Sequence, residues 1–144
     1  MAEQTAGKAR LEPHVRDFLN APGRFAVLAT INPDGTPLQA VVWFLVEDET
    51  LLVNSKEGRR WPTNLRRDPR CSFTVEDGWE YVAVRGTVEV LDDPEQAQSD
   101  IAAMARRYRD PEHAEEMIEQ RFRPQRRVSF RLSPSSVTVH GDLE

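Results

Sequence analysis

Six cations, Lys56, Arg59, Arg60, Arg66, Arg67 and Arg70, stand against only Glu57 and Asp68 between positions 56 and 70, so this window carries +4 in a chain of net charge −5. Of the 19 cations in the whole chain, 17 are arginine, whose planar fork suits phosphate and carboxylate. The window follows the strand-like run Leu51 to Ser55, turns at Gly58 and enters a short helical pattern, Trp61 to Arg67, halted at Asp68-Pro69. Backbone N–H groups at a helix start lack intrahelical partners and favour an anion. Arg59 and Arg60 stand at that start and would add charge-assisted hydrogen bonds. Arg66 and Arg67 lie past the first turn, where pairing with local acids accounts for them equally well. The chemistry expected is the capture of a phosphate, with Arg59 and Arg60 as its contacts.

A second set is aromatic. Gln39, Val41 and Trp43 alternate along one strand-like segment and would share a face, able to hold a flat heteroaromatic ring beside the phosphate. The same alternation turns Ala40, Val42 and Phe44 toward a core and offers Val41 and Trp43 to a second subunit. Both readings hold together in a dimer seam that also holds a ligand. Trp79 beside Gly78 in a loop is an indole whose exposure needs a reason. Standard catalytic sets are missing: there is no Gly-x-Ser-x-Gly, Gly-x-x-x-x-Gly-Lys, Gly-x-Gly-x-x-Gly or His-Glu-x-x-His. His14, His113 and His140 fall in separate segments, so no metal site is expected. Cys71 suits a buried small residue better than a nucleophile. The catalytic residue is left unknown, with solvent and Tyr81 both open as proton sources.

The elements that must position these residues follow from periodicity and turn chemistry. Val15, Phe18 and Leu19 at helical spacing, Pro13 ahead and Pro22-Gly23 behind predict a leading helix. Phe25 to Ile31, the turn Asn32-Pro33-Asp34-Gly35 and the longer run Pro37 to Val46 predict a hairpin. Leu51 to Ser55 adds a third strand. After the helix at Trp61, strands are expected at Cys71 to Val75 and Tyr81 to Leu91, with a bulge near Arg85-Gly86. Residues 96–120 read as one helix and a shorter helical turn, separated by Asp110-Pro111. Val128 to Leu132 is a sixth strand, and a last short one follows at Val137 to Val139 after Ser133-Pro134.

Composition limits the class. At 144 residues and 39% hydrophobic content the chain is one domain's worth of foldable sequence. The single cysteine cannot form an internal disulfide. The apolar run Ala40 to Val46 falls far short of the ~20 residues that cross a bilayer, and Met1 to Lys8 has no signal-peptide core. A soluble cytoplasmic domain over residues 1–144 is expected, with no membrane partner. Net acidity argues against nucleic acid as a partner. Six or seven strands with helical insertions close most economically as a small antiparallel barrel, whose interior is filled by side chains. A ligand then belongs in an outside groove or at a dimer seam.

Read together, Phe25 to Ile31, Asn32-Pro-Asp-Gly-Thr-Pro37, Val53-Asn-Ser55, Gly58-Arg-Arg60, Asn64-Leu-Arg-Arg-Asp-Pro-Arg70 and Asp77-Gly-Trp-Glu-Tyr81 resemble the pyridoxamine 5′-phosphate oxidase-like split-barrel superfamily. More narrowly they look like its branch of deazaflavin (coenzyme F420)-dependent oxidoreductases. The resemblance covers about residues 10–140. It implies a mainly β fold, a six-stranded antiparallel split barrel with helical insertions, assembled as a homodimer with two cofactor sites between the chains. It further implies that Gln39, Val41, Val42 and Trp43 line the deazaflavin ring. Asn54, Ser55, Arg59, Arg60, Trp61 and Asn64 would hold the phosphate end, and Gly78 and Trp79 would come from the second chain. Related sequences often carry Lys where this chain has Trp61, so phosphate binding would rest on Arg59 or Arg60. The activity implied is hydride transfer from reduced F420 to a conjugated small-molecule acceptor. FMN chemistry, as oxidase or flavin reductase, is the alternative, as is a carrier of flavin, F420 or haem without turnover.

Overall fold

Phe44 is where the fold departs most from its sequence pattern. The alternating run expected to form one strand from Pro37 to Val46 is cut at Trp43 and Phe44 into β2 (Pro37–Val42) and β3 (Leu45–Glu47). Phe44 is fully buried, edge-on to Phe73 with ring centroids 5.0 Å apart. Its backbone leaves the ladder but is not orphaned. The Phe44 carbonyl accepts from Arg107 Nη1 at 2.6 Å and its N–H donates to the Tyr108 hydroxyl at 3.4 Å. A long-range contact from a helix end therefore makes the kink tolerable.

The computed structural model describes residues 9–144; the expectation for Met1 to Lys8 falls outside the described residues. In chain order the remaining elements are α1 (Pro13–Asn20), β1 (Ala26–Ile31), β4 (Thr50–Lys56), α2 (Arg60–Arg67), β5 (Arg70–Asp77) and β6 (Glu80–Leu91). They continue with α3 (Pro94–Tyr108), α4 (Pro111–Met117), a π-helical turn at Ile118–Phe122 and β7 (Arg127–His140). Local chemistry sets many of these boundaries. Asp34 Oδ1 accepts the Thr36 N–H at 3.0 Å in the β1–β2 turn. Asp93 caps α3 by accepting from the N–H groups of Glu95 and Gln96, both at 3.1 Å. Asp110 does the same for α4 through His113 N–H at 3.0 Å.

All seven strands form one antiparallel sheet in the order β2-β1-β5-β6-β7-β4-β3. The edge strands β2 and β3 are separated by only two residues of chain, so the sheet must curl until its edges meet at the Trp43–Phe44 corner. This is a mainly β, curled half-barrel with helices. The strand count is seven, not the six implied by the resemblance. The expected strands at Val128 to Leu132 and Val137 to Val139 are a single β7, because Ser133-Pro134 does not end it. The β6–β7 register shifts between Arg85 and Gly86, a bulge that accommodates Pro134. A Cβ on Gly86 would stand 2.1 Å from the Ser133 carbonyl oxygen.

Two cores result. The interior of the curl holds Leu28, Phe44, Val53, Trp61, Leu65, Phe73 and Phe130. Outside it, Leu52 packs with Ile101, Met104, Ala105, Ala114, Ile118 and Phe122 of the helical arm. Strand β4, next to the edge strand β3, is thus buried on both faces. Val53 and Ser55 turn inward, and Leu52 and Asn54 turn toward α3. Among the described residues no helix is long and apolar enough to cross a membrane.

Candidate functional site

The end of β2, the outward face of β4, the loop before α2 and the α3–α4 arm enclose a cleft of about 280 Å³. Six of the residues singled out in the sequence line it: Val41, Val42, Trp43, Asn54, Arg59 and Trp61. Four more come from the helical arm and the start of β7: Arg109, Arg121, Gln125 and Arg127, with Ile101, Met117 and Phe122 as apolar floor. No carboxylate lines the cleft.

Arg127 is the most constrained of its cations. Nε donates to Asn54 Oδ1 at 2.9 Å, Nη1 donates to Gln125 Oε1 at 2.5 Å, and the guanidinium lies 4.8 Å from the Phe122 ring centroid. Its pKa falls to about 10, first because burial penalises the charge and then because Arg59 repels it. Asn54 is fully committed too. Its Nδ2 donates to the Ala97 carbonyl and to Ser129 Oγ, both at 2.9 Å, so it orients Arg127 and has little left for a ligand. Trp43 stacks on Tyr108 (5.2 Å, 11°) and meets Phe122 edge-on at 6.4 Å. The Arg109 guanidinium lies 5.6 Å from the Trp43 centroid. The indole is therefore a wall that holds an arginine, not a bare stacking platform. Trp61 is buried against Phe130 at 5.9 Å and shows the cleft an edge.

The other expected site residues lie elsewhere. Arg59 precedes α2 without capping it through its side chain and Arg60 begins the helix, and the neighbours part: Arg59 faces the cleft, while Arg60 lines a wider hollow of about 720 Å³ with Asn32, Asp34, Thr63, Asn64 and Arg67. That hollow contains its own carboxylate, Asp34, and is the weaker anion site. Pro62 in the first turn of α2 has no N–H to offer, which shrinks the donor set expected at this helix start. Asn64 spends its amide within the chain, donating to Thr30 Oγ1 at 3.1 Å and Asn32 Oδ1 at 3.0 Å and accepting from Arg67 at 3.2 Å. The Ser55 hydroxyl is buried and donates to the Lys56 carbonyl at 3.0 Å. Gln39 is exposed on β2. Gly78 and Trp79 occupy the β5–β6 turn, where Trp79 is 73% exposed. Tyr81 stacks on His140 at 4.9 Å and does not line the cleft.

Arg66 pairs with Glu57 at 2.6 Å and Asp92 at 3.1 Å, and Arg70 pairs with Asp68 at 2.8 Å. Those cations serve local structure. Arg109 and Arg121 stand beside Asp110 and Glu119 in the sequence, and Arg127 opens a strand far from the 56–70 window, so none of the three stood out as an anion contact. The density of arginine between Arg106 and Arg127, seven residues, was the available signal.

A family model described as pyridoxamine 5′-phosphate oxidase matches residues 11–141. A conserved hypothetical protein from Mycobacterium tuberculosis is 30% identical, with 96% of this chain and 89% of that one covered and a TM-score of 0.77. The structure of an F420 reductase is 24% identical over 85% of this chain and 94% of its own, with a TM-score of 0.66. The haem storage protein of Vibrio cholerae is 23% identical over 92% and 96%, with a TM-score of 0.67. The last two likenesses are of fold.

Proposed function

Because the chain belongs to the pyridoxamine 5′-phosphate oxidase family, a fold of flavin-binding oxidoreductases, we propose that it is an F420-dependent reductase that passes a hydride to a conjugated small-molecule acceptor. The observation that carries this reading is the cleft: indole and valine walls beside Arg59 and Arg127, with no carboxylate in its lining. That donor set fits the phosphate end of a flavin-type cofactor. Its volume of about 280 Å³ lies at the low end of the ~300–1,000 Å³ of ligand pockets, which suits a site that a second chain completes.

A second copy of this chain would supply the rest. Val27 and Val41 are cross-strand partners and both are exposed, Val41 by 72%, on the same face as Gln39. An apolar face of this kind beside the cleft suits a homodimer seam. In that assembly the ring end of the cofactor lies along Gln39 and Val41, and Gly78 and Trp79 approach from the other chain.

The cofactor, when bound, supplies the two-electron hydride chemistry. The chain's residues bind and orient it. Arg59 and Arg127 hold the phosphate, Asn54 and Gln125 fix the Arg127 fork, and the Trp43–Tyr108 stack with Phe122 keeps water from one flank. The lining from this chain holds no carboxylic acid, histidine, cysteine or tyrosine, so the proton comes from solvent or from the second chain. A haem-carrier reading is disfavoured by a lining with Met117 but no histidine or cysteine.

Trp43 and Trp61 line the cleft, so tryptophan fluorescence reports on it. In the wild-type protein, F420 should quench saturably at lower concentration than FMN, and reduced F420 should be consumed when an electron-poor enone is added. Tighter binding of FMN moves the protein to flavin oxidase or flavin reductase chemistry. Quenching by neither removes the cofactor reading.

A further inference from the structure

Away from the arginine cleft, the outward face of β1, β5 and β6 carries a hollow of about 500 Å³, within the ~300–1,000 Å³ of ligand pockets. No carboxylate among the described residues lines it. Its polarity is divided across the sheet. Ala29 and Ile31 of β1 and Pro37 of β2 form an apolar end, while Arg85 and Thr87 of β6, with Ser72 opposite Arg85 on β5, form a polar one. β1 and β6 are two strands apart in the sheet, so the two ends lie about 10 Å from each other. Arg70 also lines the hollow, but its fork is spent on Asp68 at 3.0 and 2.8 Å, which leaves Arg85 to set the charge there. The bulge between Arg85 and Gly86 re-aims the strand beside the hollow, and Ser135 Oγ ties it down by donating to the Arg85 carbonyl at 3.1 Å.

A ligand matched to this hollow is slender, apolar at one end and anionic at the other. The strand register says which end meets the cofactor. Ala29 pairs with Gln39, along which the ring end lies in the reading above, so the apolar end adjoins the ring and the anion is held two strands further on. We propose that the hollow seats the acceptor and that the acceptor is a conjugated acid, its alkene at Ala29 and Ile31 and its carboxylate at Arg85, Ser72 and Thr87. This rests on the reductase reading. The alkene gains a hydride at its β-carbon from the reduced cofactor and a proton at its α-carbon from solvent or from the second chain; two electrons leave the cofactor and the carboxylate is unchanged. Val27, Ala29 and Ile31 share one face of β1, so in a homodimer with Val27 and Val41 in its seam the second copy roofs the hollow.

The probes are 4-carboxybenzylideneacetone, an enone with a remote carboxylate, and neutral benzylideneacetone. Without cofactor, calorimetric titration of the full chain at fixed ionic strength should show the acid binding about tenfold more tightly, the effect of one charge-assisted hydrogen bond. Arg85→Gln should remove that preference, Arg85→Lys should keep part of it, and Ala29→Leu, which fills the apolar end, should weaken both enones. Equal affinity of the wild-type protein for the two enones overturns the proposal. So does a preference that survives Arg85→Gln and is lost in Arg59→Gln, because it places the acid in the arginine cleft. Circular dichroism and gel filtration accompany each variant, and a lost preference with a changed elution volume assigns Arg85 to the seam and overturns the seat. With reduced F420, the acid should show a KM about tenfold below that of the neutral enone; equal KM values overturn the acceptor assignment. An acid that binds through Arg85 yet consumes no reduced F420 retires the reductase reading, while the seat for an apolar acid stands.

Discussion

Asp100 and Arg127 carry opposite charges and never touch, yet they are joined by an unbroken chain of hydrogen bonds. Arg127 Nε donates to Asn54 Oδ1 (2.9 Å), Asn54 Nδ2 to Ser129 Oγ (2.9 Å), and Ser129 Oγ to Asp100 Oδ2 (2.7 Å). Gln96 Nε2 donates to the other Asp100 oxygen at 2.7 Å. Every donor points the same way, from cation to anion, so the two neutral side chains are polarised in series. Asp100 is 4% exposed and Ser129 is fully buried, which makes the chain costly to break.

Ser129→Ala removes the link that both Asn54 and Asp100 use. It should lower stability by about 1–3 kcal/mol and weaken phosphate binding, because Asn54, the acceptor of Arg127, keeps only the Ala97 carbonyl to hold it. Urea denaturation and a phosphate titration check the two effects. Unaltered stability would show that water replaces the hydroxyl without cost.

Arg59 and Arg60 are neighbours in sequence that face different hollows. Arg59→Ala should weaken binding of a phosphate-bearing cofactor by about 1.5 kcal/mol, the lower end for a charged hydrogen bond at an exposed side chain. Arg60→Ala should change it far less. Equal losses in fluorescence titrations of the two variants would contradict the division.

Gly86 faces the Ser133 backbone, and the oxygen 2.1 Å from an added Cβ cannot rotate away. Gly86→Ala should destabilise the protein by about 1–3 kcal/mol, as overpacking does, read as a shift in the urea midpoint at constant m-value. A neutral result would mean that the β6–β7 bulge relaxes freely.

Cys71 is buried at the start of β5, and desolvation pushes its thiol up to about 12. Thiolate is therefore scarce at pH 8, and labelling by Ellman's reagent should be slow in the native protein and prompt in denaturant. Native labelling at the rate of a free thiol would refute its burial.

His113 and Asp110 form an exposed pair at the head of α4. Hydrogen bonding and the charge of Asp110, with Glu116 assisting, raise the His113 pKa above its usual value, while His113 holds the Asp110 carboxyl below its own. A raised folded-state pKa means that the His113 contribution is complete below about pH 6.5 and fades as pH rises through the folded value. The Asp110 contribution behaves oppositely and is lost only in acid. A proton NMR titration should place His113 above the ordinary imidazole value, and Asp110→Asn should return it there.

Much of this could be read along the chain. The Asn32-Pro33-Asp34-Gly35 turn, the helix at Val15, Phe18 and Leu19, and the inward alternation of Ala40, Val42 and Phe44 rest on neighbours within a few residues. The bulge near Gly86 was visible as a glycine inside a period-two strand. The break at Trp43–Phe44 was not, because the groups that accept its stray backbone lie on Arg107 and Tyr108, more than sixty positions away. The continuity of β7 through Ser133-Pro134 was hidden for the same reason, since the bulge that absorbs the proline depends on β6.

The candidate site divides along that line. Residue types alone determined that this chain is a small mainly β protein with a cationic patch suited to phosphate near Arg59, since charge and periodicity are local properties of sequence. Only the tertiary structure decided that Arg60 and Asn64 turn away, that Asn54 is spent on orienting Arg127, and that Arg109 and Arg121 join Arg59 across some fifty to sixty residues of chain. Which side chains share a cleft is set by sheet order and helix packing, and those depend on contacts that no stretch of neighbouring residues encodes.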